Sequence, residues 1–551
     1  NNYRPDMQMH QDQVWDDINK FYDINANRVA KRFKISLDDA KMVVENANNT
    51  IRDKFSKIYN QNMVNTAEIS SRELYDITKF CKNEISNSII LCDVDKCTNN
   101  TAIICSKLYT KKLCEDLGIE VKDDNTLAIT GNDTFKPSNL NLEDIILRHR
   151  NIYRRYMGKD IPVDHRKIPT YYLIPKFHKP GDQCKTRPIS SSRETCLAEC
   201  AGLAAKCLNH LRQHFINITN LEKHSKGLST IKSINSTDLL LEELDNIEEL
   251  VTPHTINTYD FKSVFTSFKF TSIMEAMIHV VNKCFNSKVG SDAFLVIGYK
   301  KCYYSSNSNV NGIKLKKEEI LDLIQTLLNE SYIKVGSLIF NQIKGIPMGS
   351  KSSAILCDLS LISFEDLFMS KEGYKALKGV RYQDDILIFD HANFINLYSK
   401  IYPRELELEQ DNDEDGKKVN YLDTCIRIEN GRIFRTLYDK RDSFNFDINS
   451  LFNAKSNVRD SLINNVAYAQ IIRIYKINNT VIGLINGLNR LRMQLRQNSH
   501  CDRVFIEALQ KVGKNRIELL HKFMLHCEKS KTYINRLIRK LDSFPLAPYN
   551  I

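Results

Sequence analysis

KGVRYQDDILIFD, residues 378–390, is the most telling segment of this 551-residue chain. Two apolar runs, VRY and ILIF, flank a polar turn, so the segment reads as a strand, a tight turn and a second strand. Asp384 and Asp385 stand at the tip, although aspartate is a poor strand former and the flanks ask for burial. Holding two like charges out of water costs several kcal/mol unless cations compensate them. An exposed hairpin turn is the plainer account of such a pair, because aspartate is common in turns. The pair gains meaning from its neighbours along the chain.

Upstream, INTYDFKSVFTSF (256–268) gives a short strand that ends at Asp260 and runs into a helix. Asp260 lies 124 residues before Asp384, so carboxylates arrive from two separate elements. Phosphoryl transfer from a nucleoside triphosphate to a 3′-hydroxyl uses two divalent ions about 4 Å apart. Hard cations such as Mg²⁺ take carboxylate oxygens, and strand ends and hairpin tips present these rigidly. Phe265 follows Asp260 by five residues. There it can stack beneath an incoming sugar and exclude a 2′-hydroxyl, selecting deoxynucleotides by clash. A plain core aromatic is the competing account.

Further upstream, YYLIPKFHKPGDQCKTRPISSS (171–192) has two apolar runs about a basic turn and reads as a β-hairpin. Lys176, Lys179, Lys185 and Arg187 cluster on it. Cations on such a hairpin suit a triphosphate, whose charge must be neutralised as pyrophosphate departs; lysines guarding an edge strand are the bland alternative. In GIPMGS (345–350), Gly345 and Gly349 allow close backbone approach to a nucleotide or template base.

Composition bounds the rest. Hydrophobic residues make up 42% and charged residues 26%, as in an ordinary globular protein. No signal-peptide pattern opens the sequence and no apolar run reaches membrane-spanning length, so a soluble, intracellular protein is expected, with no membrane partner. Cys92 with Cys97, and Cys196, Cys200 and Cys207, invite a metal reading, but no matching pair completes a tetrahedral site. Buried thiols are expected instead. The net charge is +11, and residues 431–551 carry 21 Lys and Arg against 9 Asp and Glu. The whole excess therefore lies at the C-terminal end, where phosphate-rich ligands would be attracted.

The order of basic hairpin, Asp-x-x-x-x-Phe, glycine turn, Tyr-x-Asp-Asp and basic helices matches the reverse-transcriptase right hand. Several segments resemble Penelope-like retroelement reverse transcriptases. YYLIPKFHKP looks like that family's Leu-Pro-Lys-x-His-Lys segment, KTRPISSS like its Arg-Pro-Ile-x-Ser, and FNQIKGIPMGSKSSA like its Gly-x-Pro-Met-Gly-Ser turn. RYQDD fits its Arg-Tyr-x-Asp-Asp, and NYLDTCI resembles its Phe-Leu-Asp primer-grip region. DVDKCTNNTAIICSKLY (93–109) resembles its N-terminal Asp-Lys-Gly segment, with Cys97 where glycine is usual. Ser352-Ser353 stands where the family often has Ser-Pro.

The resemblance implies an α+β fold with fingers, an antiparallel-sheet palm and a helical thumb, plus a mainly helical N-terminal extension. The expected division is an extension over 1–140 (strand-containing near 88–115, with a polar boundary near 130–141), then fingers over 141–255. The palm follows over 256–430 with a helical insertion near 270–335, then a basic helical thumb and tail over 431–551. It implies Asp260, Asp384 and Asp385 as ligands of two Mg²⁺ ions, with Mn²⁺ as a substitute. Lys176 and Arg187 would hold the triphosphate, Phe265 would gate the sugar, and Met348 and Gly349 would pack near the template base pair. Lys417 or Lys418 would protonate pyrophosphate, and Tyr421, Leu422 and Asp423 would form the primer grip. Partners would be an RNA template, a DNA primer or target DNA, and dNTPs. No GIY-YIG endonuclease motif follows Leu509, so the chain resembles endonuclease-lacking members, or one cut short before that domain. It would rely on a separate endonuclease or a nicked end. The family's life cycle implies a nuclear location. Within the same chemistry the alternatives are a telomerase-like or intron-type enzyme with a dedicated RNA and a viral RNA-dependent RNA polymerase. Viral enzymes usually carry Gly-Asp-Asp and a polar ribose-sensing residue. From another class comes an inactive nucleic-acid-binding scaffold, against which stand all three carboxylates.

Overall fold

The computed structural model describes residues 36–43, 45–46 and 49. It then describes 88–543 apart from breaks at 123–125, 178–184, 227–230, 287–292, 299–300, 373–376, 392, 412–415, 445–447, 449–450, 457–458, 522 and 524–529. Most of the helical extension expected from the sequence therefore lies outside the described residues. The first described segment opens a helix at Ser36, whose Oγ accepts from the Asp39 N–H at 3.0 Å.

A hairpin of β1 (Ile89–Val94) and β2 (Cys97–Cys105) leads into α1 (Ser106–Leu117). Gly118 stops that helix at φ +66°, a conformation open to glycine. After a small ladder of β3 (Ile119–Val121) and β4 (Leu127–Ile129) comes β5 (Phe135–Pro137). β5 falls within the polar stretch expected to be a boundary. It is instead an edge strand bonded to a later hairpin, and its proline is tolerated there. Next, α2 (Leu142–Met157) is capped by Asn141, whose side chain accepts from the Asp144 N–H at 2.9 Å. β6 (Thr170–Pro175) and β7 (Thr186–Ser191) form the basic hairpin, and Tyr171 and Leu173 point inward with the period of two that a half-buried strand requires.

The long helix α3 (Ala198–Lys226) follows, and Cys200, Cys207 and Leu211 on it are buried together with the preceding Cys196. These thiols are core, as the spacing indicates. Then come β8 (Ile231–Ser233), α4 (Thr237–Leu250), β9 (Ile256–Phe261), the short α5 (Val264–Ser267) and α6 (Phe270–Asn286). The region expected to be a helical insertion holds a three-stranded sheet of β10 (Phe294–Ile297), β11 (Cys302–Ser305) and β12 (Ile313–Leu315) before α7 (Lys317–Asn329). Its runs FLVI and CYYS are rich in branched and aromatic residues, which favour strands over helix. The chain continues through β13 (Tyr332–Val335), β14 (Leu338–Gln342), α8 (Ser353–Glu372), β15 (Lys378–Tyr382) and β16 (Asp385–Phe389). After α9 (Phe394–Ile401) and β17 (Leu408–Gln410), a meander of β18 (Lys418–Tyr421), β19 (Thr424–Glu429) and β20 (Arg432–Leu437) leads to the C-terminal helices. These are α10 (Asp460–Ile477), α11 (Val481–Gln497), α12 (Asp502–Asn515), α13 (Ile517–His521) and α14 (Ser530–Ser543).

Two five-stranded sheets organise the chain: β5-β14-β13-β6-β7 carries the basic hairpin, and β17-β9-β16-β15-β8 carries the acidic one. The largest core packs α3, α6, α7 and α8 against the second sheet. A separate core joins α10 to α14.

A buried charge cluster ties α8 to the acidic hairpin. Arg381 is fully buried, and its Nε donates to Glu365 Oε1 at 2.6 Å while Nη1 donates to Asp358 Oδ1 at 2.7 Å. Arg212 of α3 donates to Asp358 Oδ2 at 2.5 Å, and the Tyr402 hydroxyl donates to Glu365 at 2.8 Å. Burial pushes the Asp358 carboxyl up, and the guanidiniums of Arg381 and Arg212 more than reverse that. Removing one partner of such a cluster strands the others without compensation. Arg381→Met is therefore expected to cost about 3–5 kcal/mol in urea unfolding, and Arg381→Lys to recover only part, since an ammonium cannot fork. A loss below about 1 kcal/mol, the scale of an exposed pair, would mean that the cluster does not hold the hairpin.

Candidate active site

The carboxylates meet because of strand register. β9 and β16 are antiparallel neighbours, and Asp260 pairs directly with Asp385. Directly opposed residues share a sheet face, with Cβ atoms about 5 Å apart. Tyr382 pairs with Asp385 to close the turn, leaving Gln383 and Asp384 at the tip. Gln383 has φ +55°, which costs a non-glycine residue about 1–2 kcal/mol. Two buried side chains hold this conformation. Arg381 Nη1 donates to the Gln383 carbonyl at 2.8 Å. The Tyr421 hydroxyl donates to the Asp385 carbonyl at 2.8 Å and accepts from the Tyr382 N–H at 2.9 Å. On the far side of β9, β17 sets Glu409 opposite Asp260, and Lys262 lies 3.3 Å from the Glu409 carboxylate.

The charges feel one another. Burial, then the neighbouring Asp384 and Asp260, push the Asp385 carboxyl up to about 7, and Lys440 and Lys96 pull the other way. Among the described residues no group of three or more His, Cys, Asp or Glu side chains is gathered as a metal cage. The donor chemistry, hard carboxylate oxygens from the paired strand residues Asp260 and Asp385 and from Asp384 in the turn beside them, fits divalent cations of the magnesium class.

The basic and glycine elements close on this site through the backbone. In the β6–β7 hairpin, the Lys176 N–H donates to the Lys185 carbonyl at 2.8 Å, while Lys179 lies outside the described residues. Arg187 is engaged: Nε and Nη2 donate to the two oxygens of Asp95, at 2.8 and 3.1 Å. The Ser190 N–H donates to the Met348 carbonyl at 2.6 Å, and Ser192 Oγ to the Gly349 carbonyl at 2.6 Å. A Cβ at Gly349, where φ is +128°, would meet the Ser190 carbonyl at 2.3 Å; one at Gly345 would meet the Phe265 carbonyl at 2.5 Å. The close approach that these glycines permit is thus to protein backbone. The Ile346 N–H donates to the Phe265 carbonyl at 2.6 Å, and the half-buried Phe265 packs on the main core. The glycine turn therefore joins the basic hairpin to the segment that follows Asp260.

The region downstream is arranged differently from its expected roles. Tyr421 is buried, its hydroxyl committed to the acidic turn. Leu422 adopts φ +55°, and Asp423 accepts from Arg473 at 2.7 Å and from Thr237 at 2.8 Å. Lys417 and Lys418 are exposed at the start of β18. Two cations that act on Asp385 are Lys440 and Lys96, which the sequence does not single out. The Asp-Lys pair at 95–96 had been noticed only as a resemblance, and its long-range contact with Arg187 left no local signal.

No protein-family model matches the sequence, and no curated protein matches it. Among solved structures, the chain is similar to telomerase from Candida albicans in complex with the TWJ fragment of telomeric RNA. The TM-score is 0.53 at 12% identity, covering 87% of this chain and 77% of that one. Apo telomerase from Candida tropicalis matches at TM-score 0.42 and 13% identity, over 89% and 79%. The RNA-dependent RNA polymerase of a human picobirnavirus, an insertion-loop deletion mutant, matches at 0.39 and 10%, over 84% and 83%. The chain has the right-hand polymerase fold, with mixed helix and antiparallel sheet.

A carboxyl raised from about 3.8 to about 7 on folding opposes folding once it must ionise. The penalty is absent below the unfolded value, grows between the two values and is complete above the folded one. Asp385→Asn should therefore stabilise the metal-free protein at pH 8 by about 1–3 kcal/mol, allowing for partial solvent screening. The gain should vanish near pH 4. Thermal melting in chelator at both pH values measures it, and equal gains at both would disprove the coupling.

Proposed function

We propose that this chain is an RNA-directed DNA polymerase that extends a primer 3′-hydroxyl with dNTPs on an RNA template. The observation that carries this is the pairing of Asp260 with Asp385 beside the Asp384 turn, within a right-hand polymerase fold. In this scheme residues 1–140 are an N-terminal extension, 141–255 fingers, 256–430 palm and 431–551 thumb. Asp260, Asp384 and Asp385 would hold two magnesium ions, or manganese in their place. Bound there, the ions supply activation of the attacking hydroxyl and stabilisation of the leaving pyrophosphate.

The chain's own residues do the remainder. Arg187 and Lys176 neutralise the triphosphate, with Met348 and Gly349 packed near the template base pair. Phe265, fixed by its backbone bond to the glycine turn, blocks a ribose 2′-hydroxyl. Tyr421 and Arg381 orient the acidic turn rather than touch substrate. The basic C-terminal helices grip the template–primer duplex through its phosphates. The Leu422–Asp423 turn supports the primer strand, and pyrophosphate is protonated by a lysine near the site, with Lys417 and Lys418 as the motif-based candidates.

The motif order, including Met348 in the glycine turn and the Asp95-Lys96 segment, supports a Penelope-like retroelement enzyme, and that family's life cycle would place it in the nucleus. A telomerase-like enzyme with a dedicated RNA is the second reading, favoured by the fold shared with the Candida albicans enzyme. Extension on arbitrary RNA templates separates the two, since a dedicated RNA would be required only in the second.

Asp384→Asn should lower primer extension by about 10²–10³-fold or more, the scale lost with one preorganised stabiliser of developing charge. Template–primer binding should stay within about twofold, because the grip lies elsewhere. Surviving extension would sink the assignment. Phe265→Val should raise incorporation of rNTPs relative to dNTPs by about tenfold or more, since the discrimination rests on a clash. An unchanged ratio would return Phe265 to the core.

A further inference from the structure

The β1–β2 hairpin turns at Asp95 and Lys96, between the paired residues Val94 and Cys97. Lys96 has φ +62°, a conformation that lysine rarely adopts and that persists only where surroundings impose it. They do so from two sides. The Asp95 N–H donates to the Pro175 carbonyl at 3.0 Å, at the tip end of β6. Tyr109 of α1 accepts from the Leu173 N–H at 2.8 Å, locking the same hairpin to the basic one. On the other side, Val94, Ala102 and Ile104 pack with Phe444 and Ile448, just beyond Lys440. The turn thus bridges the basic hairpin and the segment after β20, with Asp385 of the acidic hairpin among the charged neighbours of Lys96.

Its charges are arranged for an anion. Asp95 takes the Nε and Nη2 edge of Arg187, leaving the Nη1 donors for another partner and fixing the plane of the fork. Lys96 is exposed, and its charged neighbours are Lys440, Asp95, Asp385 and Arg187. Protein crowded around its ammonium, and then Lys440, hold the pKa down, against Asp95 and Asp385. Arg187, Lys96 and Lys440 thus gather three cations beside Asp385, on the side from which a polyphosphate would meet the acidic tip. We propose that the Asp95–Lys96 turn is a wall of the nucleotide pocket, where Lys96 binds the β- and γ-phosphates of the incoming triphosphate and Asp95 positions Arg187 on them. This rests on the polymerase reading and deepens it.

Steady-state primer extension by the full chain, with dNTP concentration varied, tests it alongside pyrophosphate inhibition and template–primer affinity. Lys96→Asn removes the charge with a residue that accepts the left-handed backbone, so the turn should fold at least as well. It should raise the dNTP KM and the pyrophosphate inhibition constant each about tenfold or more, the scale of one lost bond to a charged group. Template–primer affinity should move by less than about twofold, since those contacts lie on the duplex backbone. Lys96→Arg should restore most of the loss. Asp95→Asn should raise the dNTP KM while sparing kcat, as expected of a positioning residue. A parental dNTP KM in Lys96→Asn, an equal loss of template–primer affinity, no rescue by arginine, or a lower dNTP KM in Asp95→Asn would each overturn the proposal. Failure of the parent chain itself to extend any primer would overturn the polymerase reading, and this inference with it.

Discussion

A single buried guanidinium makes the acidic tip tenable. Arg381 has no exposure to solvent, yet it touches two carboxylates of α8 and the Gln383 carbonyl of the turn. Without it, the left-handed Gln383 would lose the donor that fixes its carbonyl, and Asp358 and Glu365 would be charges in the core. The arrangement explains why an arginine, with a planar fork that reaches several acceptors at once, stands just before the tyrosine of the tip. The turn is thereby anchored to the long helix behind the sheet. Asp384 and Asp385 are thus borne on a support that cannot slide without exposing a charge.

Register supplies what the anchor does not. A one-residue slip between β9 and β16 would send Asp260 and Asp385 to opposite sheet faces. Both faces guard against this: Ile386 and Ile388 are buried in one core and Leu387 and Phe389 in another, so a slip would force each side chain into a core shaped for its neighbour. The second joint is the glycine turn, where Gly345 and Gly349 let one loop lie against the Phe265 and Ser190 backbones simultaneously. A side chain at either position would push the basic hairpin away from the acidic one. Hydrophobic patterning thus sets the carboxylate geometry, while two missing Cβ atoms set the distance between the two sheets.

Much of this was legible in the sequence because it is local. The 378–390 hairpin, the strand ending at Asp260 and the hairpin about Lys176 and Arg187 all announce themselves by alternation around polar turns. The three cysteines at helical spacing declare themselves as core in the same way. What escaped is long-range. Asp95 meets Arg187 across 92 residues, and Arg212 meets Asp358 across 146, and neither pair leaves a spacing to read. The three-stranded sheet after α6 was missed because its strands are three or four residues long, too short for alternation to outweigh the helical flanks. Tyr421 was assigned to a substrate-facing role on motif alone, whereas burial and two hydrogen bonds direct it inward.

The C-terminal charge excess also changes meaning once partners are known. Pairs within this segment, such as Arg492 with Asp502 and Asp542 at 2.8 and 2.7 Å, are already neutral in that count. The excess itself is drawn on by acids outside it, since Arg435 pairs with Asp245, Arg473 with Asp423 and Lys476 with Asp238. The segment's net charge therefore overstates the surface that could meet a phosphate backbone. Some of these pairs do something else. Arg473 on α10 holds Asp423, two residues after the tyrosine that supports the acidic tip, and Arg490 on α11 holds the segment that carries Lys440. Each is a direct mechanical link from the basic helices to the site.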